Sequence, residues 1–476
     1  MSDTTGAQSD AAVTGDAAGS TSWKQAKWSG VVAYLLARLC VVAGAAAVST
    51  ARDVADRLND PTKLPPESAL GGIFDVLNSW DGQWYYAIVR NGYPRQVPPH
   101  VTFEVLEARA AFFPLYPMLV RGLNAILPGG DVLAALLFNS VMGLVAVLLV
   151  GELARRIYGV EVAKRAMLLM ALFPGSYVFS FAYSEAVMFV LVALCLLALN
   201  DRRWVWAGVA AALVTASRPN GVAICFATAV AAWFAIRERR EWRALIAPAL
   251  SPLGWLTFQI WLGVHASETG VWFRVQREAW DEGLSFGMKS LEAIGEALQR
   301  PLSSPANLLT LTSVAAMLVM VYASVKSRLP KEWLAYSGVV LALMLLPATV
   351  APRPRFVYTA FPLLIGVAAW WRPKWSDLWV LLMVACGAGL VALPVLYGGL
   401  PRSRDRPARG GTRPGGANHH PDDPALGNPG TRFPSQTRLL AVAGVALVPA
   451  TPRVVPRPPR RGHQGVPHPR PRPPPR

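Results

Sequence analysis

Long apolar runs alternate with short basic segments along most of the chain, and the alternation predicts a bundle of membrane-crossing helices. The first run covers 28–50. Others cover 131–151, 162–180, 182–199, 204–215, 220–236, 244–264, 307–325, 333–350, 356–371 and 378–397. This is the pattern of an all-α polytopic membrane protein with about 11 crossings. Basic clusters follow every second run: Arg155, Arg156, Lys164 and Arg165, then Arg202 and Arg203, then Arg237, Arg239, Arg240 and Arg243. Lys326, Arg328 and Lys331 continue the series, and Arg372 with Lys374 ends it. Cytoplasmic loops collect Lys and Arg, and Lys24 and Lys27 precede the first run, so the N-terminus is expected inside and the C-terminus outside.

Two polar stretches are long enough to build something at the outer face. The first outer loop is taken as 51–130, and its polar part runs from Ala51 to Ala110. Inside it Ile73, Val76, Leu77, Trp80, Trp84 and Ile88 recur at three- and four-residue spacing, which predicts an interfacial helix over 71–90 that restarts at Asp81. The segment 112–127 is apolar but carries Pro114, Pro117, Arg121 and Asn124. A crossing there would break the inside–outside parity, so it is expected to be an outer interfacial or re-entrant helix. The second large outer loop is 265–306.

The flanks differ in kind. Residues 1–27 are expected to form a disordered cytoplasmic N-terminus, rich in Ser, Thr, Gly, Ala and Asp and without the pattern of a secretory signal. From 401 to 476 arginine and proline dominate, and Leu439 to Val448 is too short to cross. That tail reads either as a disordered basic segment or as the product of a frameshift in a GC-rich frame. The frameshift reading is favoured, and no function is assigned to the tail. The domain between the flanks is 28–400.

Composition agrees with the pattern. Hydrophobic residues make up 53% of the chain and charged residues 16%, well below the quarter usual in soluble domains. The net charge of +17 would suggest a nucleic-acid partner, but the tail holds fourteen arginines against three aspartates, so about +11 of it lies there. No nucleic-acid partner is expected. Cys40, Cys195, Cys225 and Cys386 all lie in apolar runs and behave as small hydrophobes. No Cys/His spacing suggests a metal site, and His100 and His265 are single and incidental.

On this topology the unusual polar motifs share the outer face. They are Trp80-Asp81 with Trp84 and Tyr85, Phe173-Pro174 with Tyr183-Ser184-Glu185, Ser217-Arg218-Pro219-Asn220-Gly221, Gln276 to Trp280, and Arg353-Pro354-Arg355. Each has a plain alternative. Asp81 is a good helix cap as well as a candidate base. Glu185 could simply complement a helix N-terminus, although carboxylates at membrane depth lean towards function. Arg218-Pro219-Asn220-Gly221 makes a tight turn whose geometry does not need the arginine. Arg353 and Arg355 run against the positive-inside tendency and suggest an anionic partner such as phosphate, with lipid headgroups as the bland choice.

Together these residues point to glycosyl transfer from a lipid phosphate. Nucleotide sugars are not available outside the membrane, so a sugar donor there arrives on a lipid carrier. Phosphate leaves without a general acid once an arginine neutralises it, and one carboxylate suffices to deprotonate the acceptor. A glycosidase would need two carboxyl groups flanking the bond. The assignments are Asp81 as base, Arg355, Arg218 and Arg353 for the donor phosphate, and Trp80, Trp84, Tyr85, Glu185, Asn220 and Gln276 around the substrate. No cofactor is expected beyond the donor itself, and a divalent metal is left open. The rival class is a polytopic transporter or lipid-carrier flippase without chemistry, which would place polar groups at mid-membrane and show internal repeats.

At these residues, and at Ala111-Phe112-Phe113-Pro114-Leu115-Tyr116-Pro117, the chain resembles the PIG-V-like mannosyltransferases, a family within the GT-C superfamily. The resemblance runs over most of 28–397. It implies a GT-C-like bundle, a polyprenyl- or dolichyl-phosphate-mannose donor, inversion at the anomeric carbon, and a first-outer-loop aspartate as base, a role that falls on Asp81. It also implies a glycan or glycolipid acceptor, and a multi-pass protein of the bacterial plasma membrane, with an endoplasmic-reticulum counterpart in eukaryotic relatives. Eukaryotic members tend to have His-Phe where this chain has Trp84-Tyr85, which leaves the acceptor open.

Overall fold

The computed structural model describes residues 22–59, 68–347 and 352–398, and all of them fall within a single compact unit. The tail 401–476 and residues 1–21 lie outside the described residues, and so does what was expected of them. Helices make up the described chain, with one isolated bridge between Leu284 and Pro347. Six helical stretches are long and apolar enough to cross a membrane: Trp23–Leu58, Gly130–Tyr158, Pro219–Arg239, Trp242–His265, Pro305–Lys326 and Pro373–Val395.

The first helix, α1 (Trp23–Asn59), begins earlier than the sequence suggested. The backbone N–H of Gln25 donates to Ser22 Oγ at 3.3 Å, and the Ser22 N–H donates to Gln25 Oε1 at 3.0 Å. This reciprocal capping box turns 23–27 into helix rather than disordered chain. The outer-loop helices follow: α2 (Ala69–Leu77), α3 (Gly82–Asn91), α4 (Val105–Ala108) and α5 (Leu115–Asn124). The break between α2 and α3 falls where the sequence predicted a restart. The ten residues of α5 make it too short to cross a membrane.

Then come α6 (Gly130–Tyr158), α7 (Val160–Leu172), α8 (Glu185–Asn200), α9 (Trp204–Thr215) and α10 (Ala223–Arg239). The expected crossing 162–180 is not one helix. It stops at Leu172, because Pro174 cannot continue the hydrogen-bond ladder, and a 3₁₀ turn over Pro174–Phe179 carries the chain towards α8. The remaining elements are α11 (Ile246–Leu250), α12 (Leu253–His265), α13 (Val271–Trp280), α14 (Met288–Gln299), α15 (Pro305–Lys326), α16 (Lys331–Leu345), α17 (Pro354–Thr359), α18 (Pro362–Trp370) and α19 (Ser376–Gly398). The second outer loop is therefore largely helical, through α13 and α14. The expected crossings beyond the six long stretches fall on shorter helices, α7, α8, α9, α16 and the broken pair α17–α18.

One cluster of buried side chains joins α1, α6, α7, α8, α10, α16 and α18. A second is aromatic and outer, with Trp84, Tyr93, Phe113, Phe258 and Val275 at its centre. It fastens the two outer loops together: Trp272 Nε1 donates to the Ala111 carbonyl at 3.0 Å, Arg274 to the Pro98 carbonyl at 2.9 Å, and the Val101 N–H to Glu278 Oε2 at 2.8 Å.

Close helix crossings set the position of α17. Ser324 and Ser327 on α15 donate to the carbonyls of Leu363 and Gly366 on α18, at 3.3 and 2.8 Å. A Cβ at Gly366 would lie 2.2 Å from Ser324 Oγ and 2.7 Å from its Cα, so only glycine fits that crossing. At Gly338 on α16 nothing lies within 4 Å of where a Cβ would stand. The two glycines should respond oppositely to alanine. Gly366→Ala is expected to cost about 1–3 kcal/mol by overpacking, whereas Gly338→Ala should be neutral or stabilising by about 0.5–1 kcal/mol. Thermal unfolding of both variants in detergent checks the pair, and equal shifts would contradict the crossing.

Candidate active site

The turn between α2 and α3 is held rigidly. The α2 helix ends at Leu77, and Asn78 Oδ1 accepts a 2.6 Å hydrogen bond from Tyr86 on the following helix. The Leu77 carbonyl accepts from the Ala182 N–H at 3.3 Å, docking the turn on the segment that precedes α8. Trp80 then adopts φ 65°, in the left-handed region that a bulky side chain normally avoids. That conformation swings the chain round and leaves Asp81 at the threshold of α3.

Asp81 occupies the cap position of α3 but makes no side-chain cap hydrogen bond. Its Oδ2 instead accepts from Arg355 Nη2 at 2.8 Å, 274 residues away in sequence. Arg355 comes from the first turn of α17, where Pro354 starts the helix without a wasted donor. Its guanidinium lies 5.0 Å from the Tyr183 ring and 4.8 Å from the Phe356 ring, and its Nε is 3.8 Å from Glu185 Oε1.

Glu185 opens α8 and has no exposed side-chain surface. Arg218 Nη1 stands 2.7 Å from its Oε2 and also donates to Ser184 Oγ at 3.0 Å. Tyr85 OH and Ser184 Oγ share a further hydrogen bond of 2.6 Å. Burial, partly opposed by Arg218, pushes the Tyr85 hydroxyl well above its usual range, so it stays protonated and offers no second base. Two carboxylates and two guanidinium groups thus meet, drawn from the α2–α3 turn, the start of α8, the segment after α9 and the start of α17. The inner pair, Arg218 and Glu185, is 10% and 0% exposed, and the outer pair, Arg355 and Asp81, is 14% and 20% exposed. Of the two carboxylates, Asp81 is the one with surface open to solvent.

Other residues assigned from sequence lie elsewhere or serve packing. Trp84 is buried against Phe103, Phe112 and Trp280 with ring centroids 4.9–5.5 Å apart, so it belongs to the outer aromatic core rather than to a pocket wall. Its position on α3 turns it away from the face that carries Tyr85 to Ser184. Gln276 Nε2 reaches the Ala111 carbonyl at 3.4 Å and helps join the outer loops. Arg353 donates to the Ala306 carbonyl at 2.7 Å and to Thr310 Oγ1 at 2.9 Å, which ties α17 to α15. It was assigned to the donor phosphate, but these acceptors hold it against protein. Trp80 is half-buried against the main core, and Asn220 Oδ1 is buried beside the Arg218 turn without a hydrogen-bond partner.

Sequence reasoning missed Arg38. It sits within the long apolar α1 and donates to the Ser176 carbonyl at 2.8 Å, to Ser176 Oγ at 3.0 Å and to Ser180 Oγ at 3.0 Å. It thereby braces the 3₁₀ turn that leads to Tyr183 and Glu185. On its other side that turn presses on α17, where a Cβ at Gly175 would come within 2.4 Å of Tyr358 Cβ and 2.6 Å of the Pro354 carbonyl. The signal was an arginine inside an apolar run, a costly placement that marks a structural or functional task.

No protein-family model matches the chain, and no curated protein matches it. Among solved structures it is similar to ArnT from Cupriavidus metallidurans bound to undecaprenyl phosphate, at 17% identity and a TM-score of 0.43 over 68% of this chain and 61% of that one. It is also similar to the Archaeoglobus fulgidus oligosaccharyltransferase in the apo form, at 16% identity and a TM-score of 0.39 over 76% of this chain and 54% of that one. The same archaeal protein, AglB, in complex with an inhibitory peptide and a dolichol-phosphate, matches at 15% identity and a TM-score of 0.40 over 76% and 56%. The chain thus spans only about half to three fifths of the length of these proteins.

The inner pair makes a direct prediction. Arg218→Met would strand the Glu185 carboxylate in the core and should cost about 3–5 kcal/mol, the range for breaking a buried ion pair. Adding Glu185→Leu should recover most of that loss. Unfolding midpoints of the two variants in detergent decide it. A double variant no more stable than Arg218→Met would show that the pair does not hold the fold.

Proposed function

We propose that this protein is an integral membrane glycosyltransferase that moves a hexosyl residue from a polyprenyl- or dolichyl-phosphate carrier to an extracytoplasmic acceptor. The observation that carries the reading is the state of Asp81: a substrate-accessible carboxylate, free of any capping duty and held 2.8 Å from an arginine. Asp81 takes the proton of the acceptor hydroxyl, the acceptor oxygen attacks the anomeric carbon with inversion, and the phosphate leaves towards Arg355. Because Glu185 is fully buried and paired with Arg218, it serves as the anchor of the site and not as a second acid or base. That leaves one reachable carboxylate, which suits transfer better than hydrolysis. The six apolar stretches support a membrane setting for a lipid-linked donor.

Mannose as the sugar, membership of the PIG-V-like family and the GT-C-like bundle of about 11 crossings are the finer parts of this proposal. They rest on the resemblance of Trp80-Asp81, Phe173-Pro174, Tyr183-Ser184-Glu185, Ser217 to Gly221 and Arg353 to Phe356 to that family. The acceptor is a glycan or glycolipid. The pattern of basic loops supports a site on the extracytoplasmic side of the membrane, the plasma membrane for a bacterial protein.

Transfer from radiolabelled polyprenyl-phosphate-mannose by purified protein is the direct test. Asp81→Asn should lower turnover by about two to four orders of magnitude, the usual contribution of a general base. Its Oδ1 can still accept from Arg355, so the variant should elute as a folded monodisperse protein. Asp81→Glu should also be poor, because its extra methylene displaces the carboxylate by about an ångström. Near-normal transfer by folded Asp81→Asn would sink the mechanism.

Sidedness is tested separately with single cysteines in a background lacking the four native ones. In intact cells an impermeant maleimide should label Arg95→Cys and spare Arg239→Cys. The opposite pattern would put the site on the cytoplasmic side.

A further inference from the structure

Arg355 is engaged by carboxylates of the chain itself. Its Nη2 holds Asp81 Oδ2 at 2.8 Å, and its second carboxylate neighbour, Glu185, is bound more closely by Arg218, at 2.7 Å against 3.8 Å. The four groups carry two positive and two negative formal charges, matched in pairs. Of the two carboxylates Glu185 is shut away from solvent, while Asp81 is 20% exposed. Tyr183 and Phe356 flank the Arg355 guanidinium, so the arginine is held in place while its partner on the open side can change.

We propose that Asp81 is a stand-in for the donor phosphate on Arg355: carboxylate and phosphate compete for one guanidinium, and the reaction passes it from the first to the second. This rests on the transfer reading above and adds the order of events at the site. The entering phosphodiester carries one negative charge and displaces Asp81 from Arg355. Freed of its ion pair, the carboxylate turns to the acceptor hydroxyl. In the transfer step the acceptor O–H proton goes to Asp81, and the acceptor oxygen bonds to the anomeric carbon. The bond from that carbon to the phosphate oxygen breaks, and its electron pair stays on the phosphate. Asp81 loses one negative charge in the event in which the phosphate gains one. The total charge around Arg355 is unchanged, so no net charge has to be created in a poorly solvated site, where it would be expensive. Before a donor enters, the same ion pair keeps Arg355 from standing buried and unpaired, which would be costly.

The experiment is a binding cycle on the full chain in nanodiscs, with undecaprenyl monophosphate as the probe. It compares wild type, Asp81→Asn, Arg355→Gln and the double variant, each checked for monodispersity. If the two anions compete, Asp81→Asn should bind the probe about tenfold tighter than wild type, because a neutral amide is a weaker rival for the arginine. In the Arg355→Gln background the same substitution should change affinity little. Unchanged affinity in Asp81→Asn would overturn the exchange while leaving the transfer reading intact. So would equal tightening in both backgrounds, which would reflect only the loss of a nearby negative charge. Failure of wild type and all variants to bind the probe would remove the lipid-phosphate reading itself, and the exchange with it. Arg355→Met replaces Arg355→Gln should the latter not fold.

Discussion

Everything in the reactive region depends on keeping four charges in balance where water is scarce. A guanidinium or carboxylate buried alone is strongly disfavoured, and the cost falls only when an opposite charge with good geometry is supplied. Glu185 has no solvent contact, so Arg218 must be present, and Arg218 is steered in turn by Ser184, which Tyr85 also engages. Arg355 couples this inner pair to Asp81. The balance therefore links four stretches of chain that share no local contacts in sequence. It explains why the segments around it are so tightly specified: a left-handed Trp80, a glycine at 175 and a proline starting α17.

The support around the charges is mostly small and polar. Serines 176, 180 and 184 each accept from an arginine, two of them from Arg38 and one from Arg218. In a membrane bundle such contacts replace the hydrophobic drive that water would supply between helices. Ser324 and Ser327 do the same where α15 meets α18, with Gly366 giving the room. The outer aromatic layer uses the opposite strategy, packing rings edge to face and tying the two outer loops into one body.

How much of this could be read from sequence depended on whether a residue was out of place by its own chemistry. Asp81, Glu185, Arg218 and Arg355 are charges in or beside apolar runs on the side where charge is unusual, and such residues announce themselves. Their pairing could not be read, because it spans up to 274 residues and depends on backbone placement. Tyr183 and Ser184 stand in a motif beside Glu185, but their contacts with Arg355, Arg218 and Tyr85 are seen only in the fold. Trp84 was misread because an aromatic residue beside a carboxylate looks the same whether it lines a pocket or fills a core. The helices α13 and α14 were left as loop because their polar faces hide the spacing of Val271 and Val275. The short α7 shows the limit of hydropathy, since the run from Ala166 to Phe173 gives no sign of a stop and the proline at 174 decides where the helix ends.

The short helices have a consequence for the lipid around them. The sixteen residues of α8 and the twelve of α9 rise about 24 and 18 Å, against about 30 Å of hydrocarbon. Their shared connection carries Asp201, Arg202 and Arg203, which belong at a membrane surface. Their far ends, at Glu185 and just before Arg218, then stop several ångströms short of the opposite surface. With that connection at one membrane surface, the four charges would lie below the headgroups of the other. On the transfer reading, a carrier phosphate that slides along the headgroup plane would have to sink to reach them, and a thinner bilayer would shorten that descent, so membrane thickness would become a parameter of the site alongside the identity of its residues.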